Sequence, residues 1–242
     1  MYGYPQIFNL NPLEFTSAAG EGHQLGMLGM DKYGDLYRYS QIGASNAVAG
    51  QLQGAPVQKT NHHNRTVVAA AVGSRKVTVN LGATTAVAQE YAGGYLVVND
   101  ATGEGVSYRI SGNKAGDSSG TCEVTLDRPL VEALVASDSE VTLVHNAWNG
   151  VIVGTAVTVR AAGWPQVDAT AGYYGWLKTR GVTPALIGSA ATLGADLIIG
   201  GTAGAVTDRT DALGASAEPV VAVADIVLGV TGEYNPVRAC ID

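Results

Sequence analysis

Hydrophobic and polar residues alternate in short runs along most of this chain, and turn-forming residues separate the runs. The pattern is most regular from Thr66 onward. Residues 66–72 and 76–81 are rich in β-branched side chains and flank Gly73 and Ser74. A third run, 94–99, ends at Asn99 and Asp100; residues 107–110 follow, and then a loop of Gly, Asn, Asp and Ser over 111–120. In 122–126, Val124 and Leu126 fall on one face, while Glu123, Thr125 and the following Asp127 fall on the other. Residues 140–145 alternate in the same way. A period of two is the signature of a half-buried strand. Residues 129–136 carry Leu130 and Leu134 at helical spacing and predict one or two helical turns. Residues 151–160 predict a further strand, closed by Gly163, Trp164 and Pro165.

The last third begins near Gln166. Its predicted strands are 172–179, 185–188, 196–199, 205–207 and 220–230. Gly188, Gly194, Gly200, Gly201 and Gly214 sit between them, where tight turns take positive φ. No long amphipathic helix is present, and 211–217 is too short to be one. Residues 1–65 are different: Tyr2, Tyr4, Phe8 and Phe15 are scattered through polar and Gly-rich text, with one strand-like stretch at 34–39. Residues 51–64 read as a linker. Short strands at about ten-residue spacing predict a sandwich or a barrel. The expected fold is therefore all-β: an extended N-terminal arm and linker over 1–65, a β domain over 66–165, and a small Gly-rich, barrel-like domain over 166–242.

Composition narrows the partners. Only 14% of the 242 residues are charged, against about 25% in an average soluble protein. Such a chain has little surface to give to water, and a lattice or oligomer would cover what it exposes. The formal net charge is −7, with no basic run beyond Arg75 and Lys76, so neither nucleic acid nor an anionic membrane surface is an expected partner. Met1 to Pro5 has no basic or apolar region, so no signal peptide is expected. The apolar stretch 184–206 contains Asp196 and five glycines; a charge at the centre of a membrane helix is costly, and a spanning helix is not expected.

Candidate chemistry is sparse. Gly116-Asp117-Ser118-Ser119-Gly120 has the letters of a hydrolase nucleophile elbow, but an elbow leads from a strand into a helix, and here a strand is predicted to follow. A hairpin turn is the expected reading. His62 and His63 lie in the predicted linker without ligands at zinc spacing, and a solvated pair is expected; His23 and His145 stand alone. Asp208, Asp211, Glu218 and Asp225 lack the spacing of a calcium loop. Gly103-Glu104-Gly105 lacks the third glycine of a nucleotide fingerprint. Cys122 and Cys240 form no CxxC, and two separate thiols are expected, with a disulfide left open. No cofactor, metal or catalytic residue is expected. Tyr173, Tyr174 and Trp176 form the densest aromatic group, with Tyr174 and Trp176 on one strand face. Such a face suits either a barrel core or a subunit interface.

The stretch Gly172-Tyr173-Tyr174-Gly175-Trp176-Leu177-Lys178-Thr179-Arg180-Gly181 is followed by Ala185-Leu186-Ile187, Gly194-Ala195-Asp196-Leu197, Gly201-Thr202-Ala203-Gly204-Ala205-Val206 and Ile226-Val227-Leu228-Gly229-Val230. This resembles the pattern of tailed-bacteriophage capsid decoration proteins, the head-stabilising or cement proteins. The segment from Gly94 to Gly105 with Tyr108 and Leu143, and Leu25-Gly26 with Tyr37-Arg38-Tyr39, also resemble virion proteins of these phages. The resemblance implies a structural, non-enzymatic protein, made in the host cytoplasm and bound to the outer surface of the head. It implies the major capsid protein as partner, and self-association as a homotrimer or a dimer. Tyr2, Tyr4, Phe8, Phe15, Tyr174 and Trp176 are the candidate contacts with the capsid or a neighbouring copy, the arm adding strands to exposed sheet edges. A tail or fibre component, or an adhesin for a host glycan, is the alternative.

Overall fold

A computed structural model describes residues 7–10, 17–155, 159–209 and 219–242. The chain is all-β; among the described residues the single helical element is a 3₁₀ turn at Thr60–His62. The first strands in chain order are β1 (Phe8–Asn9), β2 (Leu28–Met30), β3 (Leu36–Ile42), β4 (Gln53–Gly54) and β5 (Arg65–Thr66). Then come β6 (Lys76–Asn80), β7 (Tyr95–Asp100), β8 (Ser107–Asn113), β9 (Thr121–Leu126), β10 (Glu140–Val144) and β11 (Asn149–Val153). The last are β12 (Ala161–Pro165), β13 (Tyr174–Ile187), β14 (Asp196–Ile199), β15 (Ala205–Asp208), β16 (Ala222–Ala224) and β17 (Tyr234–Cys240).

Two compact units result. Unit 2 is Val57–Asn146, and unit 1 joins Met1–Pro56 to Ala147–Asp242. This differs from three consecutive segments. Residues 36–42, placed by composition in the arm, form β3 and pair with β13, so both chain termini contribute strands to one sheet. Tyr2, Tyr4 and Phe15 lie outside the described residues.

In unit 2 the strand order is β5-β10-β7-β8-β9-β6. Val67 bridges Val79 just beyond β5, which brings the last strand back to the first and nearly closes a barrel. The alternation seen in the sequence is the in–out pattern of this barrel: Cys122, Val124 and Leu126 are buried, whereas Thr121 is exposed and Glu123 and Thr125 are half-buried. The interior is one cluster of aliphatic side chains with Tyr91 and Tyr108. Each fully buried Val or Leu there contributes about 1.5–3 kcal/mol relative to exposure. Leu134 does not start a helix; it bridges Ala70 across the barrel end.

Unit 1 is organised by β13, fourteen residues long. Its first half pairs with β3, from Tyr174 opposite Gln41 to Arg180 opposite Leu36, and β12 pairs with it at Trp164 and Pro165. Its second half pairs with β17, from Arg180 opposite Cys240 to Leu186 opposite Tyr234. Residues 172–179 and 185–188 are thus parts of one strand, and 163–165 belong to a strand rather than closing one. The 220–230 prediction shrinks to β16, while β17, which carries Pro236, had no clean alternation to reveal it. Gly188, Gly200 and Gly201 do not take positive φ; Gly194 and Gly204 do, and Gly214 lies outside the described residues.

One local structure recurs in both units. A residue makes an isolated bridge; the next four form a turn closed by an N–H···O bond; the third of those four has positive φ. It occurs after Ala47, Ala169 and Ala191 in unit 1, and after Ala70, Ala86, Gly116 and Leu134 in unit 2. Positive φ at that place alone is type II turn geometry. Gly50, Gly73, Gly172 and Gly194 supply it without strain, while Gln89, Ser119 and Ser137 supply it as L-residues. The bridges come in reciprocal pairs, Ala47 with Ala169, Ala191 with Leu228, Ala70 with Leu134 and Ala86 with Gly116, each exchanging two N–H···O bonds of 2.8–2.9 Å.

Candidate functional site

The aromatic residues singled out in the sequence meet in unit 1. Trp176 on β13 stands opposite Tyr39 on β3, their rings edge to face at 5.1 Å. Phe8 stacks on Trp176 at 5.7 Å and also meets His23 at 4.4 Å; Tyr174 stacks on Tyr39 at 6.1 Å. Offset stacked and edge-to-face pairs each add about 0.5–1.5 kcal/mol beyond burial. The Tyr39 hydroxyl accepts a bond from the Gly22 N–H at 2.9 Å, which ties the loop carrying His23 over the cluster. Gly29 leaves the space: a Cβ there would stand 2.7 Å from both Leu10 and Trp176. Trp176 is 4% exposed and forms core, while Phe8 and Tyr174 are half-buried. Burial raises the Tyr174 phenol above its ordinary value. Phe8 therefore binds this cluster from within the same chain.

The Gly-Trp-Leu-Lys-Thr-Arg-Gly letters also have a structural cause. Lys178 follows the buried Trp176 and Leu177, and its ammonium is nearly covered. It donates to Asp35 Oδ2 at 2.7 Å and to the Val182 carbonyl at 2.8 Å, over the face of Tyr37. A buried charge is tolerated only when paired and hydrogen-bonded in this way. Gly181, at φ +108°, lets the chain pass: a Cβ would lie 1.9 Å from Asp35 Oδ1. Asp31 orders the approach, accepting N–H bonds from Tyr33 and Asp35 on one oxygen and the Tyr37 hydroxyl on the other. Burial, with the Asp31 and Asp35 charges, raises the Tyr37 phenol.

His62 was expected to be solvated. It is fully buried instead, bonded through Nδ1 to the Tyr91 hydroxyl and through Nε2 to the Thr84 carbonyl at 3.0 Å. The first part of the predicted linker is also inside, with Leu52, Gln53 and Ala55 buried, while Val57, Thr60, Asn61 and Asn64 are exposed. A His pair after a Lys-Thr-Asn run carries no sequence signal that one ring is buried; only the barrel around His62 does.

Ser118 lies on one of the recurrent turns, exposed, with β9 rather than a helix following. Cys122 is buried, Cys240 is exposed, and both are free thiols. Among the described residues no His, Cys, Asp or Glu group is arranged to hold a metal ion, and no helix is long and apolar enough to cross a membrane.

What sequence reading missed is the chemistry of the turn tips. Around the Ala191–Leu228 bridge, Leu193, Ile226, Val227 and Val230 are exposed, Leu193 and Val227 by two thirds. Around the Ala70–Leu134 bridge, Val68, Val72, Val131 and Val135 are exposed. The available signal was consecutive apolar residues, such as Ile226, Val227 and Leu228 within the predicted strand 220–230, which cannot all face one core.

No family model, curated protein or solved structure matches the chain.

Proposed function

We propose that this chain is a structural protein of a tailed-phage virion that binds the outer surface of the assembled head and stabilises the capsid lattice. The observation that carries this reading is the pair of exposed aliphatic groups, one on the turn tips of each unit, on a chain poor in charge. Clustered exposed apolar side chains suit a protein partner. The net charge of −7 suits nucleic acid poorly. The resemblance of the β13 segment to decoration proteins points to the major capsid protein as that partner, with self-association, as a trimer or dimer, on the head.

The energetics are those of linkage. A protein that binds only the expanded shell stabilises that state, and many modest contacts per shell add through multivalency. No catalytic step is assigned to it.

The test is co-sedimentation of the protein with undecorated, expanded heads of its own phage, counting bound copies. Saturation in ratio with the capsid lattice, together with loss of binding in Val227→Asp or Val72→Asp, is the expected result. Absence of binding by the folded protein overturns the reading and turns the search to tails and fibres.

A further inference from the structure

Unit 2 has a polar clasp where its chain enters and leaves. The leading segment, 57–64, and the trailing His145 are held to each other and to the turn that follows Ala86. The His145 N–H donates to Gln58 Oε1 at 3.0 Å. Glu90 lies between: its Oε1 meets the Lys59 ammonium at 2.6 Å and His145 Nε2 at 3.0 Å, while its Oε2 accepts the Val87 N–H at 2.8 Å. Lys59 also donates to the Thr85 carbonyl at 2.8 Å. The Tyr91 ring stacks on His145 at 4.6 Å and its hydroxyl reaches His62.

The hydrogen bonds set the protonation of His62. Nε2 meets both the carbonyl and the hydroxyl of Thr84 at 3.0 Å; the carbonyl only accepts, so in the neutral ring Nε2 carries the proton and Nδ1 accepts from Tyr91. A second proton would reverse the Tyr91 bond, turning its hydroxyl from donor to acceptor, and place a charge in a fully buried ring. The groups facing the clasp are Lys59, Glu90, Tyr91 and His145, with Cys122 behind Tyr91. Burial lowers His62 most; the Thr84 carbonyl opposes this, Lys59 adds to it, Glu90 opposes it, and His145 adds to it. Glu90 is held down to about 2, its bonds to His145 and Lys59 outweighing its burial. It therefore stays a carboxylate through mildly acid conditions.

We propose that segment 57–64 is an acid-released strap, closed over unit 2 while His62 is neutral and opened when His62 takes up a proton. The sign follows from linkage. The open form binds the proton at the ordinary imidazole value, about 6.5, and the closed form resists it. Closure is complete above that value and weakens as pH falls below it.

The measurement is amide hydrogen exchange of the full chain between pH 7 and pH 5, corrected for intrinsic exchange. The amides of His62, Gly82 and His145 report the strap, because they bond Lys59, Asn61 and Gln58; Leu143 in the barrel serves as control. Opening of the strap should rise about tenfold per pH unit below 6.5, one proton per opening, with Leu143 unchanged. His62→Gln, neutral throughout, should abolish that slope, and Glu90→Gln should raise opening at every pH while keeping the slope. A slope that persists in His62→Gln, or its absence from the wild-type chain, overturns the proposal. Should His62→Gln fail to fold, the ring resonances of wild-type His62 decide: titration at the ordinary value with the strap still protected overturns it.

Discussion

Unit 2 encloses one continuous apolar interior, whereas the described residues of unit 1 form three: an aliphatic cluster around Trp164, a smaller one around Leu177, and the aromatic cluster around Trp176. The difference follows from where the strands come from. Unit 2 draws every strand from one uninterrupted stretch, and β7, β8 and β9 pair in chain order. Unit 1 gathers strands from both ends of the chain around β13, whose Tyr174 bonds Gln41 across 133 residues. A long strand with both faces covered along part of its length separates the side chains that alternate along it. Trp176 enters one cluster and its neighbour Leu177 another. A barrel closes around one interior; a spine with layers on its two sides divides it.

The largest expected consequence concerns autonomy. A fragment of residues 57–146 should fold cooperatively by itself, because its pairings are internal. Fragments 1–56 and 147–242 should each stay unfolded alone, because β3 and β13 each lose a partner. Dispersed amide spectra from either of those two fragments would remove the contrast.

Core truncations come next. Leu143→Ala in unit 2 should cost about 2–5 kcal/mol, and Trp176→Ala in unit 1 about 3–5 kcal/mol. Denaturant melts followed separately by Trp fluorescence and by unit 2 amides should show each variant shifting mainly the transition of its own unit; equal shifts in both would mean a single cooperative unit.

Asp35→Ala removes the counter-charge of a nearly covered ammonium, and a loss of about 3 kcal/mol in unit 1 is expected. Lys178→Met, which removes the charge itself, should cost clearly less. If the two variants are equally destabilised in urea titrations, the ion pair is not what makes Asp35 matter.

The smallest effect is a gain. Ser137 holds the left-handed turn position as an L-residue, at φ 61°. That conformation costs about 1–2 kcal/mol outside glycine. Ser137→Gly, which adds backbone entropy to the unfolded chain, should raise the stability of unit 2 by about 0.5–1 kcal/mol. Gly73→Ala, at the corresponding place in the partner turn, should lower it. Opposite signs at these two positions, read by thermal melting, are the mark of a shared turn.

Much of unit 2 was readable residue by residue. Lys76–Asn80, Tyr95–Asp100, Thr121–Leu126 and Glu140–Val144 carry period-two alternation, and each is a strand. The recurrent turns were also in the letters, as an alanine three places before a glycine at Ala47, Ala70, Ala169 and Ala191, but the non-glycine copies at Gln89, Ser119 and Ser137 hid the repeat. In the candidate site, the common face of Tyr174 and Trp176 was legible. That Tyr39, His23 and Phe8 would join them was not, because each lies in a separate local pattern.

Alternation, turn chemistry and low charge are properties of neighbouring residues, so the all-β character and most strand positions of unit 2 could be read from the chain alone. Choice of partner is not local. That β3 joins β13, that Gly181 passes Asp35, and that His62 is buried while His63 beside it is not, were decided by tertiary packing. The physical reason is that a strand satisfies half its backbone hydrogen bonds on each edge. Which distant segment supplies them depends on the total burial gained when all the strands assemble.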